Sequence, residues 1–317
     1  MQHVTHDVAD VVARAVEHDN FRIRGYDFTA LLERTRLTTE NALRQIAECV
    51  KAHARPPTSG FYVGAVALGA SGTLYLGVNV EIPGVPLNHS IHAEQFALVT
   101  AMAHDETKVV MMAASAAPCG HCRQFMNELR DAKSLICVMP SGIWPLADLL
   151  PHSFGPSDLA NVDRLLLEPQ NPNGRAPLLE MSAIVRSDGM PEMSFKEASA
   201  YPHYGVSHSL VTKASRVLVE TAYAPYSKSP AGICVRTSCG SEFTGWSLES
   251  AAYNPSMSPF QCVTARLVAC GKLLEDITLV VLIELSNAAV KYESTVLLAL
   301  AQVAPNARLI VVNYHDV

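Results

Sequence analysis

The sequence has no long hydrophobic run and no basic surplus. Its longest apolar stretches, 109–118 and 277–283, are far shorter than the roughly 18 residues that a membrane-spanning helix needs. The first residues show no basic stretch followed by an apolar one, which is the pattern of a secretory signal. We therefore expect no membrane association and a cytoplasmic location.

Cationic side chains are outnumbered. Lysine and arginine total 24 against 30 aspartates and glutamates, the net charge is -6, and no dense Lys/Arg run occurs. Proteins that bind nucleic acids usually carry a basic surplus or a basic stripe, so we expect no nucleic-acid partner, although an acidic total can hide a local patch. At 317 residues, 49% of them hydrophobic, the chain is long enough for two domains with separate cores.

The order of predicted elements indicates an α/β fold. Residues 1 to about 55 have helical spacing, with a last helix that starts near Thr38, and Pro56 with Pro57 ends it. Two strands joined by a glycine turn follow, then a helix, a strand, a helix and a strand, at 62–68, 73–78, 92–104, 109–115, 119–131 and 135–139. From about 140 to 200 the chain is rich in Pro, Ser, Asp and Asn, which is typical of a connector with short ordered pieces.

An internal repeat organises the chain. A shift of 168 residues brings four anchors and one apolar strand into an ungapped register: Gly64 with Gly232, Gly72 with Gly240, Gly77 with Gly245, Glu81 with Glu249, and 109–114 with 277–282. In this register His92 and Glu94 lie opposite Phe260 and Cys262, and no cysteine follows Cys270. The second copy is therefore predicted to keep the scaffold and to have lost the chemistry of the first.

Two motifs of the first copy carry that chemistry, His92-Ala93-Glu94 and Pro118-Cys119-Gly120-His121-Cys122. One histidine and two cysteines would hold Zn²⁺ in three positions and leave the fourth open, as in catalytic zinc sites. Cysteines three residues apart share one face of a helix, and a helix start favours thiolates. Glu94 is not needed as a ligand and can carry protons, but His92 and Glu94 can serve one site only at a helix start.

Arg123, directly after this motif, adds a cation that we expect to support the two cysteines. A Cys-x-x-Cys pair by itself is more often structural or redox-active, and His121 is more simply a packing or capping residue than a ligand. The other six cysteines are predicted to be buried thiols. Together with the histidine motif, however, the pair matches a known signature of zinc nucleobase deaminases.

Further segments extend this match. They are Gly60-Phe61-Tyr62-Val63-Gly64-Ala65, Gly77-Val78-Asn79-Val80-Glu81, Ser153-Phe154-Gly155-Pro156, Ala224 to Pro230 and Ala251-Ala252-Tyr253-Asn254-Pro255. With the metal motifs, they resemble the cytidine deaminases of the large, two-module, homodimeric type. The resemblance covers nearly all of the chain after residue 30.

The resemblance implies a three-layer α/β/α sandwich repeated as one catalytic and one degenerate module. The corresponding bounds are a helical segment at 1–48, a catalytic module at 49–155, a connector at 156–200 and a degenerate module at 201–317. It also implies a substrate-binding set: Asn79 and Glu81 on the ribose, Phe61 on the base, Ala93, and, from the partner subunit of a homodimer, Phe154, Ala252 and Tyr253.

The implied activity is hydrolytic deamination of free cytidine or deoxycytidine to uridine or deoxyuridine, as in pyrimidine salvage. A hydroxide generated on one zinc ion per chain would attack C4, and Glu94 would shuttle the protons. Three alternatives stay open: a deaminase that edits DNA or RNA, a nucleotide deaminase, and a zinc protein without catalysis. The acidic balance disfavours the first of these, and Glu81 near the sugar would repel the phosphate of a nucleotide.

Overall fold

The computed structural model describes residues 2–159, 162–171 and 208–314, which form two compact units. Within these residues, the first unit contains the chain up to Glu168 together with Ser250–Pro255 and Val268–Gly271, and the second unit contains the rest. No helix in the described ranges is long and apolar enough to cross a membrane.

The first unit is built on a six-stranded sheet in the order β1-β3-β2-β4-β5-β6. Its strands are β1 (Arg22–Ile23), β2 (Gly64–Gly69), β3 (Leu74–Val78), β4 (Val109–Ala114), β5 (Ile136–Met139) and β6 (Gly142–Pro145). Its helices are α1 (Gln2–His18), α2 (Gly25–Thr35), α3 (Thr39–Val50), α4 (Ala93–Met102), α5 (Gly120–Met126), α6 (Leu146–Leu149) and α7 (Pro156–Leu159). Short 3₁₀ turns lie at Lys51–His53, Leu87–His89 and Ala132–Ser134. Only β4 and β5 pair in parallel, and the other neighbours are antiparallel.

The second unit is built on a four-stranded sheet in the order β10-β9-β7-β8. Its strands are β7 (Ala231–Thr237), β8 (Glu242–Trp246), β9 (Ile277–Leu285) and β10 (Arg308–Tyr314). The helices are α8 (His208–Glu220), α9 (Pro259–Ala269) and α10 (Glu293–Val303), with a 3₁₀ turn at Leu274–Asp276. The strand pairing β2-β3-β4 of the first unit recurs as β7-β8-β9, including a register shift at Leu68/Gly69 and again at Arg236/Thr237.

Glycines show that both units have three layers. A Cβ on Gly64 would lie 2.2 Å from Ala47 O of α3, and a Cβ on Gly77 would lie 2.2 Å from Ala93 O of α4. Gly64 pairs with Val78 and Ala65 pairs with Gly77, so the two glycines point to opposite faces of the sheet. Helices α3 and α4 therefore cover opposite faces, which confirms the predicted α/β/α sandwich in the first unit.

The second unit repeats this arrangement. A Cβ on Gly232 would lie 2.2 Å from Ala214 O of α8, and one on Gly245 would lie 2.4 Å from Pro259 O of α9. The pairing of Gly232 with Trp246 again places the two glycines on opposite faces. The close approach of helix and strand explains why the repeat keeps glycine at these positions.

The N-terminal segment was predicted to be helical throughout, which is wrong at one place. Asn20 and Phe21 have positive φ values of 51° and 64° and end α1, after which Arg22 and Ile23 pair with Tyr75 and Leu74 at the edge of the sheet. The predicted start of the third helix is confirmed, because Thr38 Oγ1 accepts a hydrogen bond from Asn41 N at 3.3 Å.

Two further boundaries differ from the prediction. Helix α5 ends at Met126 rather than near 131, because the chain turns at Glu128, whose N–H bonds Phe125 O, and at Asp131, which has φ 58°. The chain after 140 does not leave the sheet at once, since β6 pairs with β5 before α6 begins. Most of the predicted connector, from 172 to 200, lies outside the described residues.

The register of the repeat also needs a correction. The bridge Val80–Ile91 of the first unit recurs as Leu248–Met257, so the loop after Glu249 is two residues shorter than the loop after Glu81. Beyond that loop the matching shift is 166 residues. His92 and Glu94 therefore correspond to Ser258 and Phe260, not to Phe260 and Cys262 as the ungapped register predicted.

Candidate active site with a metal centre

The three predicted metal ligands lie at the starts of two helices. His92 immediately precedes α4 and Cys119 immediately precedes α5, both with extended backbone, while Cys122 lies in the first turn of α5. His92 Nδ1 lies 3.5 Å from Cys119 Sγ and 3.3 Å from Cys122 Sγ, and the two sulfur atoms are 3.8 Å apart. The first exposed N–H groups of both helices thus lie near the same cluster, where they favour negative charge.

These distances fit a tetrahedral zinc ion. With Zn–S bonds of about 2.3 Å and a Zn–N bond of about 2.1 Å, tetrahedral angles place two sulfur ligands about 3.8 Å apart and a nitrogen about 3.6 Å from each sulfur. His92, Cys119 and Cys122 form the metal-binding cluster found among the described residues. Three ligands from the protein leave one tetrahedral position for a water or a substrate, as in catalytic sites.

The two thiols are electrostatically coupled. The hydrogen bond with Cys122 lowers the pKa of Cys119 to about 3, and the same contact together with burial raises the pKa of Cys122 well above its usual value. One thiolate and one thiol therefore share this contact. A divalent cation favours the thiolate form of both groups, which suits a cluster of this composition.

Glu94 lies in the first turn of α4, beside the cluster but outside it. Its carboxyl group is buried, and Oε2 lies 3.2 Å from Cys122 Sγ. Burial raises the pKa of Glu94, because the charged form loses its solvation. A buried carboxyl group next to an open metal position is suited to take up and release protons during a reaction.

Two neighbours predicted to support the cluster have defined contacts. The guanidinium group of Arg123 donates to Pro118 O and Leu149 O, both at 2.8 Å, and so fixes the backbone before Cys119. The ring of His121 is stacked on His92 with centroids 4.8 Å apart and an interplanar angle of 9°. His121 thus packs against a ligand, and the metal-binding cluster does not include it.

The predicted sugar-binding residues lie just beyond the end of β3. The side chain of Asn79 accepts from Val63 N and donates to Phe61 O, both at 2.8 Å. Glu81 Oε2 accepts from Thr58 N and Ser59 N at 2.8 and 3.0 Å. Burial raises the pKa of Glu81, but the hydrogen bonds from Ser59 and Thr58 outweigh it, so the pKa is lowered overall.

These contacts join Asn79 and Glu81 to the segment that carries Phe61. They correct the expectation that Asn79 and Glu81 project from one strand, because the strand ends at Val78. The second unit has the equivalent of one contact set, since Glu249 Oε2 accepts from Tyr226 N and Ser227 N at 2.9 and 3.1 Å.

The remaining predicted substrate contacts lie elsewhere in the first unit. Ala93 is buried as the first residue of α4, against Gly77. The ring of Phe154 is 48% exposed, and its carbonyl accepts from Asn127 Nδ2 at 3.1 Å and also from Gln124 Nε2. Ala252 is exposed, and Tyr253 is 66% exposed with a φ of 62°.

The other cysteines are free thiols in the structure, and three of them, Cys137, Cys234 and Cys262, are buried as predicted. Cys49 and Cys270 are half-buried. Cys239 contradicts the prediction, because it is exposed in the turn between β7 and β8, next to Gly240 with its φ of 84°.

Gln95 and Glu128 were not among the predicted site residues, yet both are buried and linked to the metal helices. Gln95 Oε1 accepts from His92 N at 3.2 Å, and Glu128 Oε1 accepts from Ala251 N at 2.7 Å. One signal could have found Gln95: with the corrected shift of 166 residues it matches Gln261, whose Oε1 accepts from Ser258 N at 2.9 Å.

Family models and relatives agree with this site. The model described as the cytidine and deoxycytidylate deaminase zinc-binding region matches residues 37–139, and a second model of the same description matches 146–297. The chain is 32% identical to "Cytidine deaminase 1" of Arabidopsis thaliana over 95% of this chain and 100% of that protein. It is 34% identical to a cytidine deaminase of Shewanella baltica over 90% of this chain and 88% of that protein, and 36% identical to one of Shewanella oneidensis over 86% and 83%.

A solved structure of a cytidine deaminase from Mycobacterium tuberculosis is 31% identical and covers 38% of this chain and 100% of its own, with a TM-score of 0.35. The match of two family models and the length of the similarity to full-length relatives, together with the His92, Cys119 and Cys122 cluster, lead to one conclusion: this chain belongs to the cytidine and deoxycytidylate deaminase family.

Proposed function

We propose that this protein is a zinc-dependent hydrolase that converts free cytidine or deoxycytidine to uridine or deoxyuridine with release of ammonia. The observation that carries the proposal is the cluster of His92, Cys119 and Cys122 with the buried carboxyl group of Glu94 in contact with it. The relatives named cytidine deaminases support the choice of substrate.

Zinc, when bound by His92, Cys119 and Cys122, supplies a Lewis acid that lowers the pKa of a water molecule toward neutrality. Glu94 accepts the proton that this water loses as the water oxygen attacks C4 of the pyrimidine. Glu94 then delivers that proton to N3, and it takes the second proton of the attacking oxygen to the leaving amino group, which departs as ammonia. One water is consumed, and the carboxyl group returns to its starting state.

The fold supports each of these tasks. His92 and Glu94 lie on the same helix start, which brings a ligand and a proton carrier to one point although they are only two residues apart. Arg123 holds the backbone before Cys119 through two carbonyl groups. Burial of Glu94 excludes bulk water from the proton carrier, which strengthens its interactions with a substrate.

For substrate binding, we propose that Asn79 and Glu81 contact the ribose and that Phe61 packs on the base. The hydrogen bonds of Asn79 to the backbone of Phe61 and Val63 support this, because they hold the amide and the aromatic residue in one local frame. Exposure of 61% leaves the ring of Phe61 available for a ligand. Ala93 contributes backbone at the helix start.

We further propose a cytoplasmic homodimer that acts in pyrimidine salvage, with the catalytic module at 49–155 and the degenerate module at 201–317. Phe154, Ala252 and Tyr253 would then contact the substrate bound by the partner subunit. The exposed rings of Phe154 and Tyr253 support this assignment. Sedimentation tests the assembly, and a monomer with full activity would remove the role of these residues in the partner's site.

The function is tested by ultraviolet measurement of cytidine turnover together with zinc content. Glu94→Gln keeps the size of the side chain and all three ligands, so it should retain one zinc per chain and lose activity by at least about 100-fold. Cys119→Ser should lose zinc and activity together. Wild-type turnover in Glu94→Gln would contradict the proton-carrier role, and turnover of oligonucleotides without turnover of cytidine would contradict the substrate class.

A further inference from the structure

Gln95 is a buried side chain whose amide has three partners. Its exposed fraction is 1%. Oε1 accepts from His92 N at 3.2 Å, whereas Nε2 lies 2.9 Å from Pro255 O and 3.1 Å from His121 Nε2. Because a carbonyl can only accept, the contact with Pro255 fixes the orientation of the amide. Gln95 thus connects the metal ligand His92, the ring stacked on it and a backbone carbonyl 160 residues away.

That carbonyl ends the short segment Ser250–Pro255, which belongs to the first unit by its contacts. The other end of the segment is held by Glu128, a fully buried residue whose Oε1 accepts from Ala251 N at 2.7 Å. A buried carboxylate is costly unless it is hydrogen-bonded, so this contact is a strong constraint on both partners. Glu128 directly follows α5, the helix of Cys122, and Gln95 lies on α4, the helix of Glu94.

We propose that Gln95 and Glu128 are positioning residues that dock Ser250–Pro255 onto the two metal-site helices, so that this segment stabilises His92 as a ligand. Gln95 is the joint, because its acceptor oxygen holds the backbone of His92 while its donor nitrogen holds Pro255. Groups that orient metal ligands commonly alter metal affinity by about 10- to 100-fold when they are removed. The inference deepens the proposed function and rests on it for the identity of His92 as a zinc ligand.

The second unit offers a matched control. Gln261 occupies the position of Gln95 on α9, is 5% exposed, and caps its helix through Ser258 N in the same way. Its helix carries Ser258 in place of the metal ligand. A change at Gln261 therefore removes the same helix-start hydrogen bond and measures the general cost of that loss.

The experiment compares Gln95→Met, Gln95→Glu and Gln261→Met. It measures the rate of zinc transfer from the protein to a colorimetric chelator and the hydrogen exchange of peptides that cover 250–255. Gln95→Met should transfer zinc about 10- to 100-fold faster and speed exchange in this segment. Gln95→Glu keeps the acceptor for His92 N but loses the donor for Pro255 O, so it should also speed the exchange. Gln261→Met should leave both readouts at their wild-type values.

Glu128 provides an independent pair of variants. Glu128→Ala should speed both zinc transfer and exchange in 250–255, whereas Glu128→Gln keeps an acceptor for Ala251 N and should restore most of the wild-type behaviour. If Gln95→Met does not fold, Gln95→Glu and the Glu128 pair decide the question.

Two results would overturn the inference. One is zinc transfer and exchange at wild-type rates in the variants of Gln95 and Glu128, and the other is an equal effect of Gln261→Met on both readouts. Neither readout depends on turnover. A wild-type protein that binds zinc but does not deaminate cytidine would therefore refute the proposed function and leave this inference to be judged separately.

Discussion

Gly77→Ala should damage the metal site from behind, through the contact between β3 and α4. A Cβ at this position would lie 2.2 Å from Ala93 O and 2.5 Å from Ala97 N, whereas ordinary contact requires about 3.4 Å. The helix or the strand must therefore move by about 1 Å. Ala93 follows the ligand His92 and precedes Glu94, so the displacement falls on the residues that we assign to metal binding and proton transfer.

The magnitude has two parts. Overpacking of a core typically lowers the free energy of unfolding by about 1–3 kcal/mol, which corresponds to a drop in Tm of about 2–4 °C for each kcal/mol in a unit of this size. A misplacement of about 1 Å in an active site can reduce the rate by about 100-fold. We therefore expect a modest loss of stability and a much larger loss of kcat for cytidine.

Gly245→Ala is the matched control, because its Cβ would meet Pro259 O at 2.4 Å and Val263 N at 2.5 Å on a helix without the metal ligand. The assay compares thermal unfolding, zinc content and cytidine turnover of both variants. Both should lose stability by similar amounts, and only Gly77→Ala should lose activity disproportionately. The reasoning is refuted if Gly77→Ala keeps wild-type turnover, or if Gly245→Ala loses as much activity at the same loss of stability.

Two further predictions concern stability. Burial raises the pKa of Glu242, but hydrogen bonds from Lys213 and Arg236 outweigh it and lower the pKa to about 2, so its stabilising effect is present above the unfolded pKa of about 4.3 and disappears as the pH falls toward about 2. Denaturant unfolding from pH 5 to pH 3 should show the wild-type advantage over Glu242→Gln shrinking, and a constant difference would contradict it. Phe21→Ala removes a buried ring 5.4 Å from that of Phe96 and should cost about 3–5 kcal/mol in unfolding experiments, with Phe21→Leu as a milder control. Equal stability of the Ala and Leu variants would show that the ring contact is unimportant.

Much of the fold could be predicted because local signals and tertiary contacts agree. Thr38 is a good N-cap by residue type and caps α3 in the structure. The glycines of the repeat mark places where a helix touches a strand, so the shared register of Gly64 and Gly77 with Gly232 and Gly245 reported a shared architecture. The metal cluster was predictable for a similar reason, since the ligand types and their spacing are demanded by the ion.

The parts that could not be predicted depend on contacts distant in sequence. The two-residue strand β1 has no periodicity of its own and exists because Arg22 and Ile23 pair with β3. The links from Gln95 to Pro255 and from Glu128 to Ala251 span 160 and 123 residues, and no local pattern announces them. The two-residue difference between the loops after Glu81 and Glu249 was hidden because strands on either side kept their spacing.

The start of α9 has a consequence for how zinc is acquired. Ser258 begins this helix with the same glutamine cap and the same glycine contact as His92 begins α4, and it does so with a hydroxyl group where the other copy has an imidazole. Building the three-layer module therefore does not require an ion at that position. Nascent protein made during zinc starvation should fold to its mature shape first and become loaded afterwards, which makes metal supply a control on activity rather than on abundance.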